Sequence, residues 1–175
     1  MIILFRKIKK IYCFVFYYAR RVFEFKNDKA TKDVIELDEH GNRWLHTGDL
    51  GYVDKDGFLF IIGRIKRIYT VFGNDNNMYK LFPQRIEEYV SSLPQVNCCA
   101  VVVLEDKEKL HKAIAFVELK SLDDCNEKMR KKILDDIRSD LPEHMIPENI
   151  KFVPEIPLTT SGKIDYQKLE EKVEK

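Results

Sequence analysis

The sequence predicts an α+β domain, because short strand-like and helix-like segments are mixed along it without an internal repeat. The strongest helix signal spans 123–141, where apolar residues recur every four positions opposite a charged face. The strongest strand signal is the apolar run 98–104. The 175 residues are 45% hydrophobic and 34% charged, which is typical of a globular chain with one domain and room for a small second piece.

The first part of the chain is predicted to be mostly extended. Asp28 can cap a short helix that ends at Leu37, and the Asp-rich segment 54–57 suits a hairpin turn. In order, the predicted elements are this helix, a strand at 44–46, a tight turn at 47–51, and hairpin strands at 52–53 and 58–62. The hairpin turn lacks the end ligands of a calcium loop, so no metal site is predicted.

The second part alternates strands with helices. Pro83 suits a first helical turn, and Pro142 and Pro147 end the long helix. In order, the predicted elements are a strand at 65–72, a loop at 73–77, a helix from Pro83, strands at 98–104 and 112–119, a helix at 123–141, a strand at 150–153 and a closing helix at 166–175.

Positive charge is concentrated at the start of the chain. Residues 1–30 hold eight basic and two acidic residues, a net of +6, although the whole chain has a net charge of +1. That overall balance predicts no nucleic-acid partner. The apolar stretch 11–19 is about half of the ~20 residues that a membrane-spanning helix needs. We interpret residues 1–23 as an atypical basic and aromatic lead segment; an interfacial membrane anchor is the disfavoured alternative.

The cysteines show neither zinc-binding spacing nor a disulfide framework. They are Cys13, Cys98, Cys99 and Cys125. We expect inert thiols in a reducing compartment, and therefore a cytoplasmic protein.

Three polar stretches lie where packing alone would not require them. In 47–49, the carboxylate of Asp49 can accept hydrogen bonds from the two hydroxyls of a ribose, or it can cap the turn. In 63–67, the guanidinium of Arg64 suits phosphate or ribose oxygens, or it protects an exposed strand edge from pairing.

The third stretch, 157–165, is a loop of small and hydroxylated residues with Lys163 near its tip. This lysine can deliver a compact positive charge to a phosphate or carboxylate oxygen. The alternative is a turn before a helix, with an exposed lysine. The stretch is not a Walker loop, because Pro157 stands at the first glycine position and Ile164 follows the lysine.

Together the three stretches resemble the carboxyl-terminal region of the acyl-adenylate-forming (AMP-binding) superfamily, and most closely its acyl-CoA synthetases. Residues 44–51, Trp-Leu-His-Thr-Gly-Asp-Leu-Gly, resemble its ribose-binding motif. Residues 63–66, Gly-Arg-Ile-Lys, resemble its hinge motif, and 157–164 its terminal lysine motif. The resemblance covers roughly residues 24–175.

The resemblance implies a role for each matching residue. Asp49 and Arg64 would bind the nucleotide, Asp49 at the ribose hydroxyls and Arg64 near the ribose and phosphates. Lys66 would be the hinge about which the small domain rotates between adenylating and thioester-forming poses. Lys163 would be catalytic, bridging the carboxylate and the α-phosphate during adenylation.

The resemblance also implies the domain boundaries. Residues 24–63 would be a β-rich tail of the large AMP-binding domain, 64–66 the hinge, and 67–175 the small mixed α/β carboxyl-terminal domain. One departure is that Gly73 lies ten residues before Pro83, with Met78 five residues before it, in a loop that members place near the pantetheine arm of the thiol cofactor.

The implied family activity is ATP-dependent acid–thiol ligation, as in fatty acid metabolism: a carboxylic acid and ATP, with Mg²⁺, give an acyl-adenylate and then a thioester. Coenzyme A is the expected acceptor, with a carrier-protein thiol as the alternative. We expect the chain to be a fragment of such a ligase that binds no cofactor tightly by itself. The alternative is a stand-alone module that completes a separately encoded amino-terminal adenylation domain.

Overall fold

A computed structural model of the chain describes residues 9–14 and 33–173. The predicted cap at Asp28 and most of the lead segment lie outside these residues. The chain divides into two compact units, Met1–Lys66 and Arg67–Lys175.

The first unit is a four-stranded sheet built around one long strand. Its strands are β1 (Lys9–Phe14), β2 (Ile35–Leu37), β3 (Arg43–Val53) and β4 (Leu59–Arg64). The other three strands all pair with β3, and each pairing is antiparallel. All the pairings of the sheet therefore depend on β3.

Two sequence predictions for this unit are wrong. Residues 35–37, predicted as the end of a helix, form β2, because they pair with residues 43–45 of β3. The tight turn predicted at 47–51 is part of β3. Leu50 and Gly51 pair with both β1 and β4, and Asp49 pairs with β4, so the stretch belongs to the strand. It is irregular there: the register shifts on both sides, and Gly48 keeps a left-handed φ of +75°.

The turn before β3 is organised by the carboxylate of Asp38. It accepts hydrogen bonds from the backbone N–H of His40 (3.0 Å), from the backbone and side-chain nitrogens of Asn42 (2.8 and 3.0 Å), and from the indole N–H of Trp44 (3.0 Å). These donors, the Trp44 indole first among them, lower the pKa of Asp38 to about 2. Asp38 is therefore ionised at neutral pH, and the charged form is the one that closes the turn.

The predicted hairpin at 52–62 is present, and its outer strand is apolar and exposed. Asp54 closes the turn by accepting from the backbone N–H groups of Asp56 and Phe58, both at 2.9 Å. Exposed large apolar residues extend from the turn into β4: Phe58, Leu59, Phe60 and Ile61. Four consecutive exposed apolar side chains are unusual on a protein surface that faces water.

The second unit is a three-layer α/β arrangement with a small extra hairpin. Its strands are β5 (Tyr69–Phe72), β6 (Met78–Leu81), β7 (Val96–Asp106), β8 (Leu110–Leu119) and β9 (Asn149–Phe152). Its helices are α1 (Pro83–Ser91), α2 (Glu127–Asp140) and α3 (Tyr166–Glu170). The main sheet has the order β7-β8-β9, with β7 antiparallel and β9 parallel to β8, while β5 and β6 pair separately.

Both faces of the main sheet are buried. On one face, α1 and α2 supply Ile86, Val90, Ile133 and Ile137, which pack with alternate residues of β7 and β8. On the other face, Leu169 of α3 joins the remaining alternate residues. The apolar run in β7 is continuous because successive side chains enter different cores.

The ends of several elements differ from the sequence prediction. The long helix begins at Glu127 rather than 123, because the side chain of Asn126 caps it by accepting from the backbone N–H of Met129 (2.9 Å). The strand predicted from 65 starts as a 3₁₀ turn at Ile65–Arg67. The closing helix ends at Glu170 and continues only as a turn to Val173.

No helix within residues 9–14 and 33–173 has both the length and the apolarity that a transmembrane span requires.

The Asp38 turn predicts an acid transition that tryptophan fluorescence can follow. The pKa of Asp38 is about 2 in the folded unit, against an ordinary 3.8. A lowered folded pKa gives a stabilising contribution that is complete above the ordinary value and is lost as pH falls toward about 2. Because Trp44 is the single tryptophan of the chain, its emission should change in that window.

The Asp38→Asn variant should lose this pH dependence, because its amide does not titrate. Asp56→Asn is the matched control, since Asp56 is an exposed aspartate of the neighbouring hairpin turn. If the fluorescence of Asp38→Asn still changed with pH as it does in the unaltered chain, the acid transition would not be due to Asp38.

Candidate functional site

Asp49 and Arg64, predicted as nucleotide ligands, are direct neighbours on paired strands. They are register partners across β3 and β4, and Arg64 Nε lies 3.0 Å from Asp49 Oδ1. Arg64 Nη1 also donates to the carbonyl of Thr47 at 2.8 Å. The Asp49 side chain is 22% exposed and that of Arg64 62% exposed, so both reach solvent. The carboxylate engages the guanidinium rather than capping a turn.

Gly48 provides the backbone geometry that brings this pair together. Its φ is +75°, a left-handed conformation that favours glycine. A Cβ at this position would lie 3.6 Å from Arg64 Nη1, in ordinary contact. The backbone N–H of Asp49 donates to Thr47 Oγ1 at 3.1 Å, which holds the same stretch. Thr47 and Gly48 therefore set the local backbone geometry of β3 that places the Asp49 carboxylate beside the Arg64 guanidinium.

Lys66 lies in the 3₁₀ turn Ile65–Arg67 and is exposed. It is the final residue of the first compact unit. A 3₁₀ turn has weaker hydrogen-bond geometry than an α-helix and often marks a hinge. The position is therefore suited to changes of backbone angle.

Lys163 lies on a short hairpin of its own in the second unit. An antiparallel bridge joins Leu158 to Ile164. The backbone N–H of Thr159 donates to the Lys163 carbonyl at 2.7 Å, and that of Gly162, at φ +77°, donates to the Thr159 carbonyl at 2.9 Å. The hairpin therefore presents the lysine from a defined backbone rather than from a loose loop.

The ammonium group of Lys163 is available to a ligand. The side chain is exposed, and no ion pair or side-chain hydrogen bond engages it within the part of the chain that the structure describes. The neighbouring Lys168, by contrast, pairs with Asp165 at 3.2 Å. The structure thus brings Asp49 and Arg64 into contact, while Lys66 ends the first unit and Lys163 belongs to the second.

A second polar cluster, which the sequence analysis did not identify, lies at the start of the second unit. Arg67 forms a two-pronged ion pair with Glu87, Nη2 to Oε1 at 2.8 Å and Nη1 to Oε2 at 3.2 Å. Arg67 Nη1 also lies 2.9 Å from the hydroxyl of Tyr166, and its guanidinium lies 4.1 Å from the centre of that ring. Periodicity could not reveal this cluster, because its members lie 20 and 99 residues apart in sequence.

Comparison with known proteins identifies the second unit. Residues 85–163 match the family model described as the AMP-binding enzyme C-terminal domain. Over these residues the chain is similar to an AMP-binding enzyme C-terminal domain. The predicted resemblance to the carboxyl-terminal region of adenylate-forming enzymes is confirmed, and so is the mixed α+β fold that it implied.

Curated relatives and solved structures of this domain are ligases and synthetases. The chain is 32% identical over 140 residues to peroxisomal OPC-8:0-CoA ligase 1 of Arabidopsis thaliana, covering 80% of this chain and 23% of the relative. The amide bond synthetase McbA of Marinactinospora thermotolerans superposes with a TM-score of 0.69 at 27% identity, covering 84% and 28% of the two chains. The anthranilate CoA ligase AuaEII, solved with anthranoyl-AMP, superposes with a TM-score of 0.62 at 32% identity. The match covers 74% of this chain and 24% of AuaEII.

The chain therefore spans about a quarter of the length of the relatives that it matches. The match includes Lys163, which is the last residue of the family model's span. The family activity of these relatives is that of adenylate-forming ligases.

The segment from Gly73 to Pro83 was noted in the sequence analysis as a departure from the family pattern. These residues form the turn and second strand of the β5–β6 hairpin, and Met78 is 70% exposed. A Cβ at Gly73 would lie 2.7 Å from Asp75 Oδ1 and from Tyr79 Cε2. Packing within the hairpin thus accounts for this glycine without a ligand.

The same hairpin borders a cleft of about 750 Å³ in the second unit. Its walls include Tyr79 and His144, whose rings stack 4.6 Å apart. Burial lowers the pKa of His144, which favours its neutral form. None of the four predicted site residues lines this cleft.

Proposed function

We propose that this chain serves an ATP-dependent acid–thiol ligase, in which a carboxylate and ATP form an acyl-adenylate that is then passed to a thiol. The observation that carries the proposal is Lys163, an unpaired cation held on an ordered hairpin inside a recognised AMP-binding enzyme C-terminal domain.

Lys163 would stabilise the charge that develops when the carboxylate attacks the α-phosphate. The new bond joins a carboxylate oxygen to the α-phosphorus, and pyrophosphate leaves. A positioned cation lowers the energy of this transition state without forming a bond itself. An ammonium that is not already neutralised by an acid is suited to the task, and Lys163 meets that requirement.

Asp49 and Arg64 would hold the nucleotide. The Asp49 carboxylate uses Oδ1 for Arg64, which leaves Oδ2 for a ribose hydroxyl. Arg64 keeps most of its surface exposed and can turn its remaining N–H groups toward ribose or phosphate oxygens. The ion pair fixes both groups in advance, so less rotamer freedom is lost when the nucleotide binds.

The rest of the nucleotide site would come from a large adenylation domain. The described residues contain no cluster of His, Cys, Asp or Glu that fits a metal, so Mg²⁺ would be held outside them. An acyl pocket and a phosphate loop are also needed to place the carboxylate within about 3–3.5 Å of the α-phosphate. The acceptor we favour is coenzyme A, as the name of the Arabidopsis relative indicates, although the McbA name refers to amide formation.

One observation favours a second candidate function. The second unit has cores on both faces of its sheet and is compact by itself. Such a unit can fold alone and supply Lys163 to a separately encoded adenylation domain. The two candidates share the chemistry and differ in whether the large domain is covalently attached. In either case the unpaired thiols of Cys98, Cys99 and Cys125 fit a reducing, cytoplasmic setting.

The first prediction concerns Lys163. With a complementing large adenylation domain, Lys163→Ala should slow acyl-adenylate formation by about 10²-fold or more, the scale for loss of one positioned charge. Pyrophosphate release with a carboxylic acid substrate measures this step. Lys107→Ala, which removes an exposed lysine from the β7–β8 turn, is the control and should have no effect. Wild-type pyrophosphate release in Lys163→Ala would refute the catalytic role.

The second prediction concerns Lys66 as the pivot. Lys66→Pro fixes φ near −65° and should impair reorientation of the domain. One half-reaction should therefore be slowed more than the other, as measured by pyrophosphate release and by thioester formation from preformed acyl-adenylate. Lys66→Ala, which keeps the backbone free, should leave the ratio of the two rates near that of the parent. Equal losses in Lys66→Pro would argue against a hinge at this residue.

The third prediction is that residues 1–175 alone are catalytically silent. Asp49 and Arg64 form only one wall of a nucleotide site, and the triphosphate needs several further donors or cations. Calorimetric titration with ATP should show no micromolar binding, and pyrophosphate should not be released over a panel of carboxylic acids. Turnover by the purified 175-residue chain would contradict the requirement for a large domain.

A further inference from the structure

The cluster at the start of the second unit joins four separate segments. Arg67 is the first residue after the proposed pivot, and its Nη2 donates to the Val101 carbonyl on β7 at 3.1 Å as well as to Glu87 on α1. Glu87 Oε1 also accepts from the backbone N–H of Val101 at 2.8 Å and from the Tyr166 hydroxyl at 3.0 Å. The start of the second unit, α1, β7 and α3 are thus held together by one connected set of hydrogen bonds.

This network is sheltered from solvent. The Arg67 side chain is 27% exposed and that of Glu87 12% exposed. Partial burial would lower the pKa of Arg67, but the hydrogen bond and charge of Glu87 outweigh it and the net shift is upward. Burial, followed by the charge of Glu87, raises the pKa of the Tyr166 hydroxyl. Arg67 therefore stays charged and Tyr166 stays a neutral donor at every physiological pH.

Tyr166 links the cluster to the lysine hairpin. It opens α3 only three residues after Lys163. Between them, the backbone N–H of Asp165 donates to the Pro157 carbonyl at 2.8 Å, which closes the base of the hairpin, and Asp165 Oδ1 caps α3 by accepting from Lys168 N at 3.2 Å. Leu169, on the inner face of α3, is fully buried. Tyr166 is thus held directly at the base of the hairpin.

We propose that Arg67, Glu87 and Tyr166 act as a positioning unit that fixes the Lys163 hairpin relative to the residue that follows the pivot. When the backbone rotates at Lys66, Arg67 and the Lys163 hairpin then move together as one rigid piece, because both belong to one hydrogen-bonded cluster. This inference rests on the proposed function. It assigns a role to residues that need not touch the nucleotide or the acid.

The geometry of the cluster requires an arginine. A planar fork can reach both oxygens of Glu87, the Val101 carbonyl and the Tyr166 hydroxyl at once, while its flat face lies on the tyrosine ring. The ammonium of a lysine keeps the charge but loses the fork and the stacking. Arg67→Lys is therefore a charge-conserving test, and Tyr166→Phe is a milder one that removes the hydroxyl and keeps the ring.

The first experiment uses the 175-residue chain and does not depend on activity. Backbone NMR order parameters for Gly162 and Lys163 should be near ~0.85 in the unaltered chain and should fall below about 0.6 in Arg67→Lys and in Tyr166→Phe. Amides in the centre of β8 should not change. Arg138→Lys is the control, since Arg138 forms an exposed pair with Asp135 on α2. A flexible hairpin in the unaltered chain, or a rigid one in both variants, would overturn the proposal.

The second experiment separates positioning from stability in the presence of a complementing adenylation domain. Arg67→Lys should slow adenylation at least about tenfold, with the KM for ATP unchanged, because only the placement of Lys163 is lost. It should have no further effect in a Lys163→Ala background, because a positioning residue acts only through the group that it positions. Additive losses would show that Arg67 serves stability alone and would overturn the proposal.

The two proposals fail in different ways. If Lys163→Ala leaves adenylation unchanged, the proposed function is wrong. If Lys163→Ala slows adenylation and Arg67→Lys does not, the proposed function stands and the positioning role is wrong.

Discussion

Burial of the β7–β8 ribbon on both faces is the constraint on which the rest of the second unit depends. Two helices cover one face, and α3 with the segment around Ile156 covers the other. Each side chain of the ribbon is therefore assigned to one core by its place in the alternation. The lysine hairpin leads directly into α3, so its position follows from how α3 packs. The chemistry proposed for Lys163 thus depends on an apolar packing arrangement that contains no catalytic group.

The two units manage their surfaces differently. The second unit buries an apolar core on each face of its sheet, and its exposed large apolar residues are scattered, whereas four consecutive ones are exposed from Phe58 into β4 of the first unit. Exposed strands of this kind are normally covered by further structure or associate with other chains. The exposed segment of the first unit is therefore suited to contact with further structure.

Sequence analysis predicted the elements whose signals are local and failed where distant partners decide. The helix at Pro83 and the strand at 98–104 were predicted correctly, because proline and apolar runs act through neighbouring residues. The stretch 47–51 was predicted as a turn from the same kind of signal, but pairing with two other strands makes it an irregular part of β3. The roles of Asp49, Arg64, Lys66 and Lys163 were inferred from motif resemblance, and they stay predictions. The cluster around Arg67 was not predicted, because a cluster joining positions 67, 87 and 166 leaves no pattern in a short window.

The alternation of side chains along β7 also limits how the gene can change in length. Cys99 and Val101 enter one core, while Ala100 and Val102 enter the other. A single inserted or deleted codon inside this strand would exchange the contents of the two cores and displace α1 and α3 together. The exposed turn 74–77 carries no such parity, since none of its residues belongs to either core. Length variation among descendants of this domain should therefore accumulate at that turn and be purged from the strand.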